Sequence, residues 1–213
     1  MSIWDCFAKL QGQHAAPASL GVSFLIAGLG NPGVQYEKTR HNAGFRALDA
    51  LAASLNCQIN RAKFSALVGR AEIGGKGVLL MKPQTYMNCS GDAVAQAARY
   101  YTLSAEQILI LSDDVHLDIG RMRLRHGGSD GGQKGLRSVA ERLGTQSYLR
   151  LRIGVGQKPD QAYPMAEYVL GKMTQQELDA TAARYQDLIR GCELVVSGSF
   201  DAAVAIVNAG DRA

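Results

Sequence analysis

Apolar positions along this chain recur with two periods, and the switches between them mark out its elements. Residues 24–29 are a short, continuous apolar run closed by glycines, the pattern of a central strand buried on both faces. Behind it Phe45, Leu48, Ala52 and Leu55 stand at helical spacing and predict a helix over residues 44–55. Residues 64–73 read as a strand, Gly74, Gly75 and Gly77 as a turn, and residues 78–81 as the returning strand. Lys82-Pro83 closes that hairpin, because proline cannot donate to a ladder. A helix is predicted over residues 91–101 with Ala93, Val94, Ala97 and Ala98 inward.

Ser104-Ala105-Glu106-Gln107 has capping-box spacing and predicts a short helical turn before a strand at 108–111. Arg121-Met122-Arg123-Leu124-Arg125 alternates basic and apolar residues, the pattern of a half-buried strand with its arginines on the wet face. A glycine-rich loop follows over 127–135, then a helix over 136–143 and a strand over 149–155 with Leu151, Ile153 and Val155 inward. Thr174-Gln175-Gln176-Glu177 is a second capping box. It opens one long helix with Leu178, Ala182, Tyr185, Leu188, Ile189 and Val196 along a stripe, and residues 200–207 form the last helix.

Strands interleaved with helices predict one α/β domain over residues 23–213, built on a mixed central β-sheet flanked by helices. Residues 1–22 read as a loose N-terminal extension without the basic start and apolar core of a secretory signal. No apolar run is long enough to cross a bilayer, so no membrane partner is expected. Cys6, Cys57, Cys89 and Cys192 are far apart and form no C-x-x-C pair, which argues against a zinc site or disulfide framework and for a reducing cytoplasm. Cys192 falls on the apolar face of the late helix, as a buried inert thiol would.

The net charge is +4, and residues 121–172 carry the whole excess, with ten Lys or Arg against four Asp or Glu. That segment suits a polyanionic partner.

Gly28-Leu29-Gly30-Asn31-Pro32-Gly33 matches the G-x-G-x-x-G fingerprint of dinucleotide sites. Such a site needs a helix starting inside the motif to face the pyrophosphate. Here Pro32 disfavours helical geometry at Asn31, and helical periodicity begins about ten residues later. The acid expected at the end of a second strand is absent too, since Asp49 falls mid-helix. A nucleotide cofactor is therefore not expected.

Four histidines offer themselves for acid–base work. His14 lies in the extension, and His116 and His126 stand in turn-like surface segments. His41, between Arg40 and Asn42 at the start of a helix, is placed to face the cleft above the first strand, or else to cap that helix. An imidazole base needs a partner to fix its tautomer, and Asp113, closing the apolar run 108–111, is the candidate. One of Asp113 and Asp114 is expected at the sheet edge and the other solvated in a loop. Asn31 and Asn88 add amides able to bind a peptide group or a developing oxyanion, although each singly also suits a turn. No G-x-S-x-G elbow is present, so a base acting on water is favoured over a covalent route.

Taken together, five separated motifs resemble the bacterial-type peptidyl-tRNA hydrolase family. They are the glycine motif with Tyr36, Thr39-Arg40-His41-Asn42-Ala43-Gly44, Lys82-Pro83-Gln84-Thr85-Tyr86-Met87-Asn88-Cys89-Ser90-Gly91, Asp113-Asp114, and the loop 127–136 with Arg150-Leu151-Arg152-Ile153-Gly154. The resemblance implies a monomeric α/β esterase that cuts the ester between peptide and tRNA, with no metal and no cofactor. It implies His41 as base, Asp113 holding it basic, and Asn31 selecting substrates whose amino group is acylated. Tyr36, Tyr86, Met87 and Asn88 would contact the substrate, tyrosine faces stacking on unpaired bases. Arg123, Arg125 and Arg152 would meet phosphates.

Two departures stand out. Gln133-Lys134 replace the family's usual His-Asn, so Lys134 can supply charge to tRNA but no hydrogen-bond acceptor. His116 and Asp118 stand where the family usually has Asp and Pro. They leave an alternative open, a relative that binds structured RNA without cutting it. Retention of His41, Asp113, Asn31 and Asn88 favours the hydrolase, since a pure binder needs no such set.

Overall fold

A computed structural model describes residues 20–160 and 162–211. His14, Cys6 and most of the N-terminal extension lie outside the described residues. Seven strands form one sheet in the order β2-β3-β4-β1-β5-β7-β6. They are β1 (Val22–Gly28), β2 (Arg61–Lys63), β3 (Ala66–Ile73), β4 (Lys76–Pro83), β5 (Ile108–Asp114), β6 (Met122–His126) and β7 (Leu149–Gly154). The middle four, β4, β1, β5 and β7, run parallel. The β2–β3, β3–β4 and β6–β7 pairings are antiparallel, which makes the sheet mixed as expected.

The continuous apolar run of β1 is buried on both faces. Phe24 and Ile26 point to one core with helices α1 (Ala43–Ser54), α6 (Tyr185–Ser197) and α7 (Phe200–Val207). Leu25 and Ala27 point to the other, with α2 (Ser90–Tyr101) and α3 (Lys134–Leu143). Cys192 is fully buried in the first core, and burial pushes its thiol up to about 12.

The glycines of the first loop serve this packing. Gly28 on β1 and Gly44 on α1 face each other so closely that a Cβ on either would strike backbone of the other segment or of β5. α1 therefore lies tight on the sheet, and the Phe45 N–H donates to the Leu29 carbonyl at 3.2 Å.

Two expectations need correction, and two elements are ones the sequence did not announce. The strand predicted from residue 64 begins at Ala66, because Phe64 (φ 56°) and Ser65 (φ 53°) adopt left-handed backbone and turn the chain back from β2. The edge strand β2, whose three residues are all exposed, has no apolar pattern to announce it. The predicted long C-terminal helix is two, α5 (Gln175–Ala182) and α6. They part at Ala183 and Arg184, where the Arg184 guanidinium turns back to the carbonyls of Gly120 (3.3 Å) and Val207 (3.1 Å), and Ala182 of the expected stripe is exposed. Finally, α4 (Met165–Leu170), six residues long, is too short to show a helical period.

Candidate active site

The carboxyl ends of the parallel strands carry the polar residues singled out above. The loop after β1 passes through short 3-10 turns at Val34–Tyr36 and Arg40–Asn42, and α1 starts directly behind the second. His41 and Asn42 are both buried in that turn. Asn42 grips the Asn31 backbone from both sides, its Oδ1 accepting from N–H and its Nδ2 donating to C=O, each at 2.9 Å. Arg46, on the first turns of α1, donates to the carbonyls of Thr39 (2.7 Å) and Glu37 (2.9 Å) and so fixes the approach to His41 from the other side. Burial draws the Arg46 guanidinium below its ordinary value, against the attraction of Tyr185 and Asp113.

A second brace comes from the far end of the chain. The Arg40 N–H donates to the Gly171 carbonyl at 3.0 Å, the Met173 N–H to Lys38 at 2.8 Å, and Thr39 bridges to Lys172. Arg40 also reaches Glu177 at 3.0 Å and lies over the Tyr168 ring. α4 is thereby seated beside His41.

His41 Nδ1 stands 3.0 Å from Asp113 Oδ2 and 3.1 Å from Oδ1. Asp113 is 3% exposed and the whole His41 residue 9%. A carboxylate only accepts, so in neutral His41 the proton sits on Nδ1 and Nε2 carries the lone pair. The helix-cap reading of His41 gives way to this pairing. Asn31 Oδ1 accepts from the Met87 N–H at 2.9 Å, which ties the first loop to the 3-10 turn Met87–Cys89. Its Nδ2 is left as a donor.

Asp114 corrects an expectation, because neither aspartate of the pair is a solvated loop residue. β5 runs through both, and Asp114 is 7% exposed on the opposite sheet face. Burial opposes its ionisation, but Arg152 Nη1 at 2.9 Å and the His116 N–H at 2.9 Å outweigh it and hold the carboxyl below the usual range. The His116 ring, a surface histidine as expected, also touches it at 3.1 Å.

A cavity of about 650 Å³ opens over these groups. Asn31, Tyr36, His41, Tyr86, Met87, Asn88, Asp113, Lys134 and Arg152 all line it, so nine of the eleven candidates from sequence converge. Val115, Met165, Val169 and Leu170 form an apolar side of the same cavity. Tyr86 is 64% exposed at its rim, and Asn88 and Lys134 are exposed beside it.

Arg123 and Arg125 do not line the cavity. They sit on β6 opposite Arg152 and Arg150 of β7, and all four side chains share the sheet face away from the Leu124–Leu151 core. Arg152 Nη2 and Arg150 Nη1 each donate at 2.6 Å to the Ser129 carbonyl, which fastens the glycine-rich loop down.

Sequence reasoning missed two residues of consequence. Asn42 was visible within its motif, yet nothing local shows an asparagine reaching back eleven residues. Gln133, known only as a departure, donates from Nε2 to Asp113 Oδ1 at 3.0 Å. Among the described residues, no cluster of three or more His, Cys, Asp or Glu is placed to hold a metal ion, and no helix is long and apolar enough to cross a membrane.

A mixed α/β sheet with a buried histidine–aspartate pair at the carboxyl ends of its parallel strands defines a class, that of single-domain α/β proteins equipped for acid–base chemistry in a cleft. Comparison with known proteins narrows the class. A family model described as peptidyl-tRNA hydrolase matches residues 25–213. The peptidyl-tRNA hydrolase of Caldicellulosiruptor saccharolyticus is 38% identical over 187 residues, covering 88% of this chain and 97% of the relative. That of Bacillus subtilis is 42% identical over 176 residues, covering 83% and 93%. A crystal structure of peptidyl-tRNA hydrolase from Acinetobacter baumannii superposes with a TM-score of 0.83 at 35% identity, covering 89% of this chain and 96% of that one. The chain belongs to the peptidyl-tRNA hydrolase family.

Proposed function

We propose that this chain hydrolyses the ester joining a peptide to tRNA, with His41 as general base acting on water. The observation that carries the reading is the His41–Asp113 contact at 3.0 Å, buried at the base of the cavity. Nε2 takes a proton from a water, whose oxygen attacks the ester carbonyl. The imidazolium, stabilised by the Asp113 carboxylate, then returns the proton to the departing ribose oxygen. The Asn31 Nδ2 donor serves a carbonyl oxygen of the substrate, either that of the acylated amino group or the developing oxyanion.

The rest of the cavity binds. Tyr36 and the exposed Tyr86 offer faces for the unpaired acceptor-end bases, Asn88 an amide for their edges, and Met87 an apolar floor. Lys134 meets a phosphate at the rim, and Arg123 and Arg125 extend that positive field along β6. Arg152 contributes charge while its fork holds Asp114. The protein works without metal or cofactor, as a monomer in the cytoplasm.

Incubation with an N-blocked aminoacyl-tRNA beside its unblocked form tests this. Release of the amino acid from the blocked form alone is the expected result. Binding of both with cleavage of neither would instead make the chain an RNA-binding relative.

A further inference from the structure

Asp113 has two side-chain donors, and only one of them belongs to the base. Gln133 is the N-cap of α3, and its Oε1 accepts from the Leu136 N–H at 2.7 Å. That bond fixes which end of the amide points where: with the oxygen held by a donor, the nitrogen must face the site. Nε2 then donates to Asp113 Oδ1 at 3.0 Å and makes a second contact with Met87 Sδ at 3.2 Å. Every polar atom of this buried side chain is engaged. Room for it comes from Gly135, where a Cβ would lie 3.0 Å from Gln133 Oε1 and 2.6 Å from Met87 Sδ.

We propose that Gln133 is a positioning residue for the hydrolytic reaction, holding the Asp113 carboxylate in the orientation that presents it to His41. The inference rests on His41 being the base. Oδ1 receives both His41 Nδ1 and Gln133 Nε2, so the two donors together set the plane of the carboxylate. The amide does so without carrying charge and without titrating, so the hydrogen bond persists across pH. The charged groups around Asp113 and His41 are Arg46 on α1, Asp114 on β5, Arg152 on β7, Asp130 in the loop and Lys134 on α3. Gln133 is neutral, unlike these groups, and shares Asp113 with His41 through a hydrogen bond of its own. Met87, touched by the same amide, donates its N–H to Asn31, so Gln133 links the carboxylate to the far wall of the site.

Two variants separate this role from helix capping. Gln133→Glu keeps an oxygen for the Leu136 N–H, where a carboxylate also suits the helix N-terminus, and exchanges the donor for an acceptor. Gln133→Met keeps the volume and removes both functions. Turnover of N-blocked aminoacyl-tRNA is followed against pH, and the His41 imidazole is titrated separately by NMR. In Gln133→Glu the His41 midpoint is expected to rise by roughly one to three pH units, because the added carboxylate is an opposite charge close to the imidazolium. In Gln133→Met, kcat is expected to fall roughly 10- to 100-fold, the worth of a hydrogen bond to a charged group. KM should change by less than about twofold.

An unmoved His41 midpoint in Gln133→Glu, with unchanged kcat in folded Gln133→Met, would overturn the proposal while leaving the base intact. A midpoint that moves while the acidic limb of the rate profile stays in place would support the Gln133 contact and sink His41 as base.

Discussion

Asn42 holds Asn31 by its backbone, with two hydrogen bonds of 2.9 Å closing a ring between side-chain amide and peptide. The residue after His41 thus places Asn31, and both His41 and Asn31 line the cavity. Both partners are buried, so neither bond has water as a substitute.

Replacing Asn42 by Asp keeps the acceptor and removes the donor, leaving the Asn31 carbonyl unpaired beside a charge. The expected cost is about 1–3 kcal/mol in denaturant unfolding. Turnover should fall further than this loss of folded protein explains, because Asn31 Nδ2 loses its aim. Wild-type turnover in the folded fraction would show that the grip serves stability alone.

Replacing His41 by Ala should lower kcat by about 10²–10⁴, the usual worth of a general base, with tRNA affinity nearly unchanged. Single-turnover rates at saturating enzyme, set beside filter binding, separate the two effects. Undiminished turnover would remove His41 from the mechanism.

Asp114 ties stability to pH through its lowered carboxyl. A group whose folded value lies below its unfolded one stabilises above the unfolded value, about 3.9 for aspartate, and ceases to do so as pH falls through the folded value. Asp114→Asn should therefore lose roughly 1.5–3 kcal/mol at neutral pH, the worth of hydrogen bonds to charged groups, and show a flatter acid limb below pH about 4. Thermal melts of both proteins between neutral and acid pH decide it, equal slopes in acid counting against the assignment.

Substrate binding should weaken steeply with salt, since ten basic residues crowd residues 121–172. Arg125→Ala, on the exposed end of β6, is expected to reduce the slope of log affinity against log salt by about one while sparing kcat. An identical slope would place the phosphates elsewhere.

Much of the site was legible because its residues sit at strand ends, where apolar runs stop at glycine or aspartate. The run 108–111 pointed straight at Asp113, and the break after residues 24–29 at Asn31. Where the chain's own neighbours do not decide the structure, the sequence was silent. β5 continues through Asp114, whose charge is met by Arg152 on the adjacent strand. Alternation puts Arg150 opposite Leu151, but its 1% exposure follows from the loop carbonyl at Ser129 folding over it. Two capping boxes were both found, since a cap is local, whereas the break at Arg184 depends on carbonyls 64 and 23 residues away.

The close approach of Gly28 to Gly44 bears on how the chain reaches its working state. His41 and Asp113 are 72 residues apart, and they meet only when α1 lies flat on β1 and β5 has paired beside it. Parallel pairing across that crossover is a non-local event and therefore a slow one. During refolding, the earliest species can contain α1 and the β3–β4 hairpin, both local, and still be inert. Recovery of hydrolysis then marks the moment the sheet closes, making the enzyme a reporter on its own folding.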